Sequence, residues 1–297
     1  MSHTYKMKGC IPPMITPFDK DGNVDEQALR TLVRFLDGKV HGIFICGSYG
    51  CGPMMSVAER KRVAEICREE AKQLQLIVMT GTANTRDTIE LSLHARDIGA
   101  DAVSAVAPYY FHHNMSDVLG FYTDIIEAVG KDFPVYIYTN PKFSGYAVDL
   151  KTMKALKAAG LAGVKAASFD IMEYATYVRE LADDTFDVAL GTEALWLPAA
   201  VYGGKAFIPG LANAFPEICV QMYEEAMRGD FEACRETQFK VNKLRDIMYL
   251  AKSTQLAIYA MLEIRGIATC YPRKPFTKAS DAELEAMRAA LKEMGMI

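Results

Sequence analysis

VYIYTNPKFSGYAVDLKTMKALKAAGLAGVKAA, residues 135–167, is the stretch that decides the fold class of this 297-residue sequence. It opens with an apolar run rich in branched and aromatic residues, Val135–Tyr138, and closes with a second apolar run, Gly163–Ala167. Between the two runs, Asp149 is placed to cap a helix over Leu150–Ala159. Two such runs with a helix between them predict a strand–helix–strand unit in which the strands are parallel.

The same unit repeats along the first two-thirds of the chain. Eight apolar runs alternate with amphipathic segments, and the runs are continuous, which is typical of parallel strands covered on both faces. The runs are Cys10–Thr16, Gly42–Cys46, Leu76–Thr80, Ala102–Ala107, Val135–Tyr138, Gly163–Ala167, Phe186–Leu190 and Lys205–Pro209. Eight units favour a closed (β/α)8 barrel over an open sheet, and we place it over residues 1–215. Residues 216–297 carry no further strand signal and are predicted to form a helical extension packed on the barrel.

Several helix ends can be assigned from single residues. Ser56 and Glu59 have the spacing of a capping box, which predicts a helix running from there towards Gln73. Ser116 is predicted to cap a helix that Gly130 ends. The helix that follows Asp149 is predicted to end at a glycine as well, at position 160.

Composition excludes several classes of protein. Hydrophobic residues make up 51% of the chain and charged residues 24%, which is typical of a globular protein rather than a disordered one. The net charge is −4 and no dense basic run exists, so neither nucleic acid nor a membrane surface is an expected partner. No apolar run reaches the ~18 residues of a membrane helix, and residues 1–10 lack a signal-peptide core, so we expect a cytoplasmic protein. The seven cysteines show no C-x-x-C spacing, and we predict small buried residues rather than a metal site.

Active sites of (β/α)8 barrels lie at the carboxyl ends of the strands, so polar residues there are the candidates for chemistry. Lys165 is one, because its neighbours are apolar as far as Ser168. A lysine at a strand end can simply extend to water. A desolvated lysine, however, has a lowered pKa and becomes a neutral nucleophile that attacks a carbonyl to form a Schiff base.

Two further positions at strand ends are candidates. Tyr138 can be a packing residue, but next to Lys165 its phenol would relay protons to and from a substrate hydroxyl. The turn Gly47-Ser48-Tyr49-Gly50 lacks the lysine of a P-loop, and its backbone amides with the Ser48 hydroxyl could cradle a carboxylate. No cluster of acidic residues and histidines indicates a metal ion.

Taken together, these motifs resemble one family, the dihydrodipicolinate synthase and N-acetylneuraminate lyase family. The resemblance covers nearly the whole chain, up to Pro272–Pro275. The motifs that carry it in family order are Gly9–Phe18, Gly47–Gly50, Pro108–Tyr110, Tyr138 with Pro141, Gly163–Lys165 and Gly203-Gly204 through Asn213.

The resemblance implies a (β/α)8 barrel, usually a homotetramer built as a dimer of dimers, with no cofactor beyond a covalent lysine imine. It implies that Lys165 forms the imine with pyruvate or another 2-keto acid and that Tyr138 relays protons. Ser48 and Tyr49 would hold the keto-acid carboxylate. Tyr110 matches a tyrosine that crosses a subunit interface in the synthases. Gly191, Glu193, Ile208 and Phe143 are expected to line the rest of the pocket.

Departures from the family pattern bear on the second substrate. Phe143 stands where the synthases have an arginine for the aldehyde's carboxylate, and Ala167 and Thr192-Glu193 replace more polar residues of the sialic-acid lyases. We therefore predict a class I aldolase or lyase that joins pyruvate to, or releases it from, an aldehyde with few charged groups. The alternatives are dihydrodipicolinate synthase (4-hydroxy-tetrahydrodipicolinate synthase) and a hydratase or dehydratase that uses the same imine. A ligand sensor without activity is less compatible with the presence of both Lys165 and Tyr138.

Overall fold

Eight short parallel strands form the centre of the protein, as predicted. The computed structural model describes residues 5–297. The first four residues, which belong to the segment used for the targeting prediction, lie outside the described residues. The strands are β1 (Gly9–Cys10), β2 (Gly42–Ile45), β3 (Gln75–Met79), β4 (Ala102–Val106), β5 (Val135–Thr139), β6 (Gly163–Ala166), β7 (Asp187–Leu190) and β8 (Ala206–Phe207).

The strands pair in the order β1-β8-β7-β6-β5-β4-β3-β2, and every pair is parallel. A parallel bridge between Pro13 and Phe44 connects the chain after β1 to β2 and completes the circle. The protein is therefore the (β/α)8 barrel that the eight apolar runs predicted. The register places Tyr138 of β5 directly beside Lys165 of β6.

The first strand is shorter than predicted. The apolar run Cys10–Thr16 was expected to be a strand throughout, but only Gly9–Cys10 forms a ladder. Pro12 and Pro13 follow, and proline has no N–H to donate to a ladder. The segment still accepts a bond from Phe44 N at Pro12 O (2.9 Å) and donates one from Met14 N to Phe44 O (2.9 Å).

Twelve α-helices occupy the described residues. They are α1 (Glu26–Leu36), α2 (Val57–Glu70), α3 (Thr85–Asp97), α4 (Met115–Val129), α5 (Pro141–Ser144), α6 (Leu150–Ala159), α7 (Ile171–Leu181), α8 (Trp196–Val201), α9 (Pro216–Met227), α10 (Phe231–Met248), α11 (Thr254–Ile264) and α12 (Asp281–Glu293). The last four form the predicted helical extension. In the part of the chain that the structure describes, no helix is long and apolar enough to cross a membrane.

The structure confirms two of the predicted helix starts and corrects one. Ser56 caps α2 with a complete capping box, although this helix ends at Glu70 and not near Gln73. Asp149 caps α6. Ser116 does not cap α4: Asn114 does, through its side-chain oxygen and the Asp117 amide (3.0 Å). Both residues are good caps, and the choice falls on Asn114 because the chain is already helical at Met115.

The buried apolar side chains fall into two clusters because successive residues of a strand face opposite sides. Tyr136 and Tyr138 belong to the smaller cluster, whereas Val135 and Ile137, the alternating residues of the same strand, belong to the larger one. The smaller cluster fills the barrel, and the larger one joins the strands to the helices. All seven cysteines are buried, which agrees with the prediction of small buried residues, and all are unpaired.

Candidate active site

A cavity of about 460 Å³ lies at the carboxyl ends of the strands. Loops that follow six of the strands line it, and residues of α10, α11 and the segment between these helices complete its wall. Eight of the nine predicted site residues line this cavity: Ser48, Tyr49, Tyr138, Phe143, Lys165, Gly191, Glu193 and Ile208. Tyr110, the ninth, does not.

Lys165 is buried, and its exposed fraction is 4%. Its Nζ atom lies 4.0 Å from the centre of the Phe44 ring and 3.9 Å from the centre of the Tyr138 ring. Within residues 5–297 no carboxylate forms an ion pair with it. Burial without a counterion lowers the pKa of Lys165 to about 7, because desolvation disfavours the ammonium. At neutral pH a large share of this amine is therefore uncharged and able to act as a nucleophile.

Tyr138 lies beside Lys165, and its hydroxyl has two partners. The Ser48 Oγ atom is 3.4 Å from the Tyr138 Oη atom, and Asn140 Nδ2 donates to the same oxygen over 3.4 Å. Burial raises the pKa of Tyr138, and the bonds from Ser48 and Asn140 offset part of this rise because they stabilise the phenolate. The phenol is thus placed for proton transfer next to the lysine nitrogen.

The turn after β2 has the geometry expected of a cradle. Gly52 N donates to Gly47 O (3.0 Å), and a side chain on Gly52 would collide with Cys46 O, so the turn needs a glycine there. Within the described chain, the amides of Ser48 and Tyr49 donate to no protein acceptor. They remain available to an anion, and the binding of a carboxylate by this turn stays a prediction.

Tyr49 and Gly191 shape the cavity wall. The Tyr49 hydroxyl donates to Thr254 Oγ1 at the start of α11 (3.1 Å), which joins the turn to the helical extension. At Gly191 a side chain would meet the Ala167 Cβ atom at 2.4 Å, so this position holds strands β6 and β7 close together just beyond Lys165.

Glu193 lines the cavity, but a residue that sequence reasoning missed already binds its carboxylate. Arg245 of α10 forms a buried ion pair with Glu193 Oε1, and Gly210 N donates to Glu193 Oε2 (2.9 Å). An arginine therefore does reach the cavity, from a helix that the sequence analysis had not connected with the site. Because Glu193 neutralises Arg245, this guanidinium is not a free binding group for a substrate carboxylate.

Phe143 lies at the entrance of the cavity with 54% of its surface exposed. Phe169 lines the same cavity, and two cations lie around its ring: Lys142 Nζ is 6.0 Å and the Arg245 guanidinium 5.5 Å from the ring centre. Phe169 has a φ of 66°, a left-handed conformation that costs a non-glycine residue about 1–3 kcal/mol and is most common at functional sites.

Tyr110 lies outside the cavity. Its side chain is 88% exposed, and its ring lies edge to face with the Phe111 ring at 5.1 Å between ring centres. Its φ of 81° is also left-handed. In the single chain it does not reach Tyr138.

Arg245 and Asn140 are the most informative residues that sequence reasoning missed. Arg245 could have been found because it shares the buried face of α10 with Val241 and Met248, where a cation needs a partner. No local signal marks Asn140 as anything but a helix cap. Among the described residues, no group of three or more His, Cys, Asp or Glu side chains could hold a metal ion.

The fold and the cavity define a (β/α)8 barrel with an enzyme-type site at the carboxyl ends of its strands. A model of the dihydrodipicolinate synthetase family matches residues 6–294. The chain is 33% identical to the 4-hydroxy-tetrahydrodipicolinate synthase of Methanopyrus kandleri, over 99% of this chain and 98% of that protein. It is also 33% identical to an N-acetylneuraminate lyase of Clostridium perfringens, over 94% of this chain and 96% of that protein.

A solved structure agrees with these relatives. The sialic acid aldolase of Ruminococcus gnavus, solved as a catalytic lysine mutant, superposes with a TM-score of 0.93 at 25% identity, over 99% of this chain and 98% of that one. The chain belongs to the dihydrodipicolinate synthetase family, and its family relatives are lyases.

Proposed function

We propose that the protein is a class I aldolase or lyase that forms a Schiff base between Lys165 and a 2-keto acid, with pyruvate as the three-carbon piece. The uncharged amine attacks the C2 carbonyl, and the carbonyl oxygen leaves as water. The iminium then accepts the electron pair of the C3–C4 bond as this bond breaks, which gives an aldehyde and an enamine. Protonation of the enamine at C3 and hydrolysis release pyruvate and restore the lysine.

One observation carries this proposal: Lys165 is a buried amine without a counterion, and its pKa is lowered to about 7 inside a cavity at the catalytic end of the barrel. A lysine kept only for stability would have a carboxylate partner or reach water. The relative solved as a catalytic lysine mutant supports a catalytic role for a lysine in this family.

Tyr138 takes the proton of the C4 hydroxyl during cleavage and returns it during condensation. Its ring lies against the Lys165 amine, so its oxygen lies within the same part of the cavity as the reacting carbons. The free amides of Ser48 and Tyr49 and the Ser48 hydroxyl bind the keto-acid carboxylate. No cofactor is needed, because the iminium itself is the electron sink.

Assembly completes the proposal. We expect a homotetramer, a dimer of dimers, in which Tyr110 of one subunit joins the relay of the next. The exposed Tyr110 and Phe111 rings are consistent with a surface that another subunit covers.

Borohydride trapping tests the imine. Wild-type protein is reduced in the presence of pyruvate and digested, and the adduct is expected on the peptide that contains Lys165. Lys165→Arg should not be trapped, because the guanidinium stays protonated. Lys154→Arg, a change at an exposed lysine of α6, should be trapped like the wild type. An adduct on another peptide, or none with several 2-keto acids, would contradict the proposal.

The second substrate is proposed to be an aldehyde with few charged groups. Phe143 and Ala167 give the cavity apolar surface. The buried guanidinium of Arg245 in its wall is already paired with the Glu193 carboxylate. A carboxylate without a bidentate arginine loses charge-assisted bonds of about 1.5–3 kcal/mol each, or roughly two orders of magnitude in kcat/KM.

Dihydrodipicolinate synthesis is the second candidate, because the Methanopyrus kandleri relative bears that name. The comparison is kcat/KM for aspartate semialdehyde against uncharged aliphatic and aromatic aldehydes, each with pyruvate. A tenfold advantage for the semialdehyde would make the synthase the better assignment and would point to Lys142 as its partner. Phe143→Arg should raise semialdehyde activity if the loop after β5 has the geometry of the synthases.

A further inference from the structure

Asn140 is the second partner of the Tyr138 hydroxyl, and it comes from the same chain. The residue is buried, with 8% of its surface exposed, and it lies two positions after Tyr138 at the carboxyl end of β5. Its Nδ2 atom is 3.4 Å from the Tyr138 Oη atom.

The orientation of the Asn140 amide follows from its second task, the capping of α5. The Lys142 amide donates to Asn140 Oδ1 (3.2 Å), and only the oxygen of the side chain can accept that bond. The NH2 group therefore faces Tyr138. Since this group can only donate, the Tyr138 oxygen accepts, and the phenol keeps its own proton for Ser48 or for the substrate.

The backbone holds Asn140 in this position. The Phe143 amide and the Ser144 amide both donate to Asn140 O (2.9 and 3.1 Å), so the short helix α5 fixes the residue from which the side chain extends. The cap and the tyrosine contact thus belong to one rigid unit at the wall of the cavity.

We propose that Asn140 is a positioning residue, which orients the Tyr138 hydroxyl and stabilises its phenolate from within the same chain. This inference rests on the proposed function, because it assumes that Tyr138 relays protons. It differs from the expected role of Tyr110, which depends on a second subunit: Asn140 supports the relay in every subunit whatever the assembly.

Exchange of the methyl protons of pyruvate in D2O, followed by NMR, tests the proposal without knowledge of the aldehyde. Asn140→Ser keeps a good helix cap but removes the amide that reaches Tyr138. We expect exchange to slow three- to tenfold, about the value of one hydrogen bond, with little change in the KM for pyruvate. The rise near pH 7, which belongs to Lys165, should stay in place, whereas the alkaline limb of the pH profile should move to higher pH, because the Tyr138 phenolate has lost a donor and its pKa increases.

Asn114→Ser is the matched control, because Asn114 caps α4 and does not contact Tyr138. It should exchange pyruvate protons at the wild-type rate. Asn140→Asp is the second test variant: it keeps size and cap but replaces the donor with an acceptor, so it should also slow exchange and move the profile. Thermal unfolding of both variants is the check that they are folded.

The outcomes separate the two proposals. If wild-type protein neither exchanges methyl protons nor is trapped at Lys165, the proposed function fails. If the wild type does both and Asn140→Ser matches it in rate and pH profile, the role of Asn140 is refuted. A loss confined to KM, with an unmoved pH profile, would also refute it, because it would show a structural effect on binding alone.

Discussion

Lys165 is buried where desolvation disfavours its ammonium form, and the folding free energy of the rest of the protein must offset the cost of burying the amine. Lowering its pKa from 10.5 to about 7 corresponds to about 5 kcal/mol at ~1.4 kcal/mol per unit. Protein stability is commonly sacrificed in this way at active sites.

The first prediction follows from that cost. Lys165→Met should increase the free energy of unfolding at pH 7, by up to about 5 kcal/mol, because an apolar chain replaces a desolvated amine. Between pH 7 and 10.5 the unfolded wild type binds a proton at Lys165 that the folded protein does not. The wild type therefore gains about 1.4 kcal/mol per pH unit in this window, and its difference from Lys165→Met should shrink as the pH rises.

Denaturant unfolding at several pH values measures this difference. Lys154→Met, at an exposed lysine, should change stability by less than about 0.5 kcal/mol at every pH. A Lys165→Met variant that is no more stable than the wild type would show that the amine is solvated through the cavity.

The second prediction concerns pH and trapping. Only the neutral amine attacks a carbonyl, so the initial rate of Lys165 modification by pyruvate and cyanoborohydride should rise through pH 7 and level off above it. Peptide mass spectrometry at fixed times gives the rate. A midpoint near 10, as for an ordinary lysine, would contradict the desolvation argument.

The third prediction concerns Tyr138. Tyr138→Phe keeps the ring against Lys165 but removes the acid–base group, so kcat should fall by roughly 10²–10⁴-fold. Tyr146→Phe is a suitable control, because the Tyr146 hydroxyl is buried and donates to Pro108 O (2.7 Å), away from Lys165. Near-normal kcat for Tyr138→Phe would make this tyrosine a packing residue only.

At the scale of elements, helix α10 is joined to the barrel by a buried ion pair. Arg245 on the helix binds Glu193 on the loop after β7. Gln238, about two turns earlier on the same helix, donates from Nε2 to Glu193 O (2.8 Å). The wall of the site is therefore built by two distant segments that neutralise each other's charge.

The fourth prediction tests that connection. Glu193→Gln leaves a buried guanidinium without its counterion and should lower the free energy of unfolding by about 3–5 kcal/mol. Glu224→Gln, in the exposed pair with Arg228, should cost less than about 1 kcal/mol. Denaturant melts of the two variants compare the pairs directly, and equal small losses would mean that the Glu193 pair is solvated.

At the scale of the whole molecule, Tyr110 is the residue that the single chain leaves unexplained. The fifth prediction is that the protein is an oligomer and that Tyr110→Phe and forced dissociation lower kcat to a similar extent. Tyr202→Phe, at an exposed tyrosine just after α8, should have no effect. Sedimentation and activity measured on the same samples decide this, and a fully active monomer would exclude Tyr110 from the relay.

The sequence by itself determined the barrel and the placement of Lys165 beside Tyr138. Eight apolar runs separated by helices admit few other folds, and Lys165 and Tyr138 are strand residues whose neighbourhood follows once β5 and β6 are adjacent. The first strand was predicted too long because the apolar run continues past Pro12 and Pro13, which have no N–H to donate to a ladder. Ser116 was wrongly predicted as the cap of α4 in place of Asn114, because two good capping residues near one helix start look equivalent in sequence.

Only the tertiary structure decided what surrounds the reacting atoms. Arg245 and Glu193 are 52 positions apart, and no local pattern tells that their side chains meet in the cavity. No sequence prediction was made for Asn140, and its contact with Tyr138 depends on how α5 turns away from the strand. The pKa of Lys165 is likewise a property of the packed barrel, because desolvation is produced by residues from many strands at once.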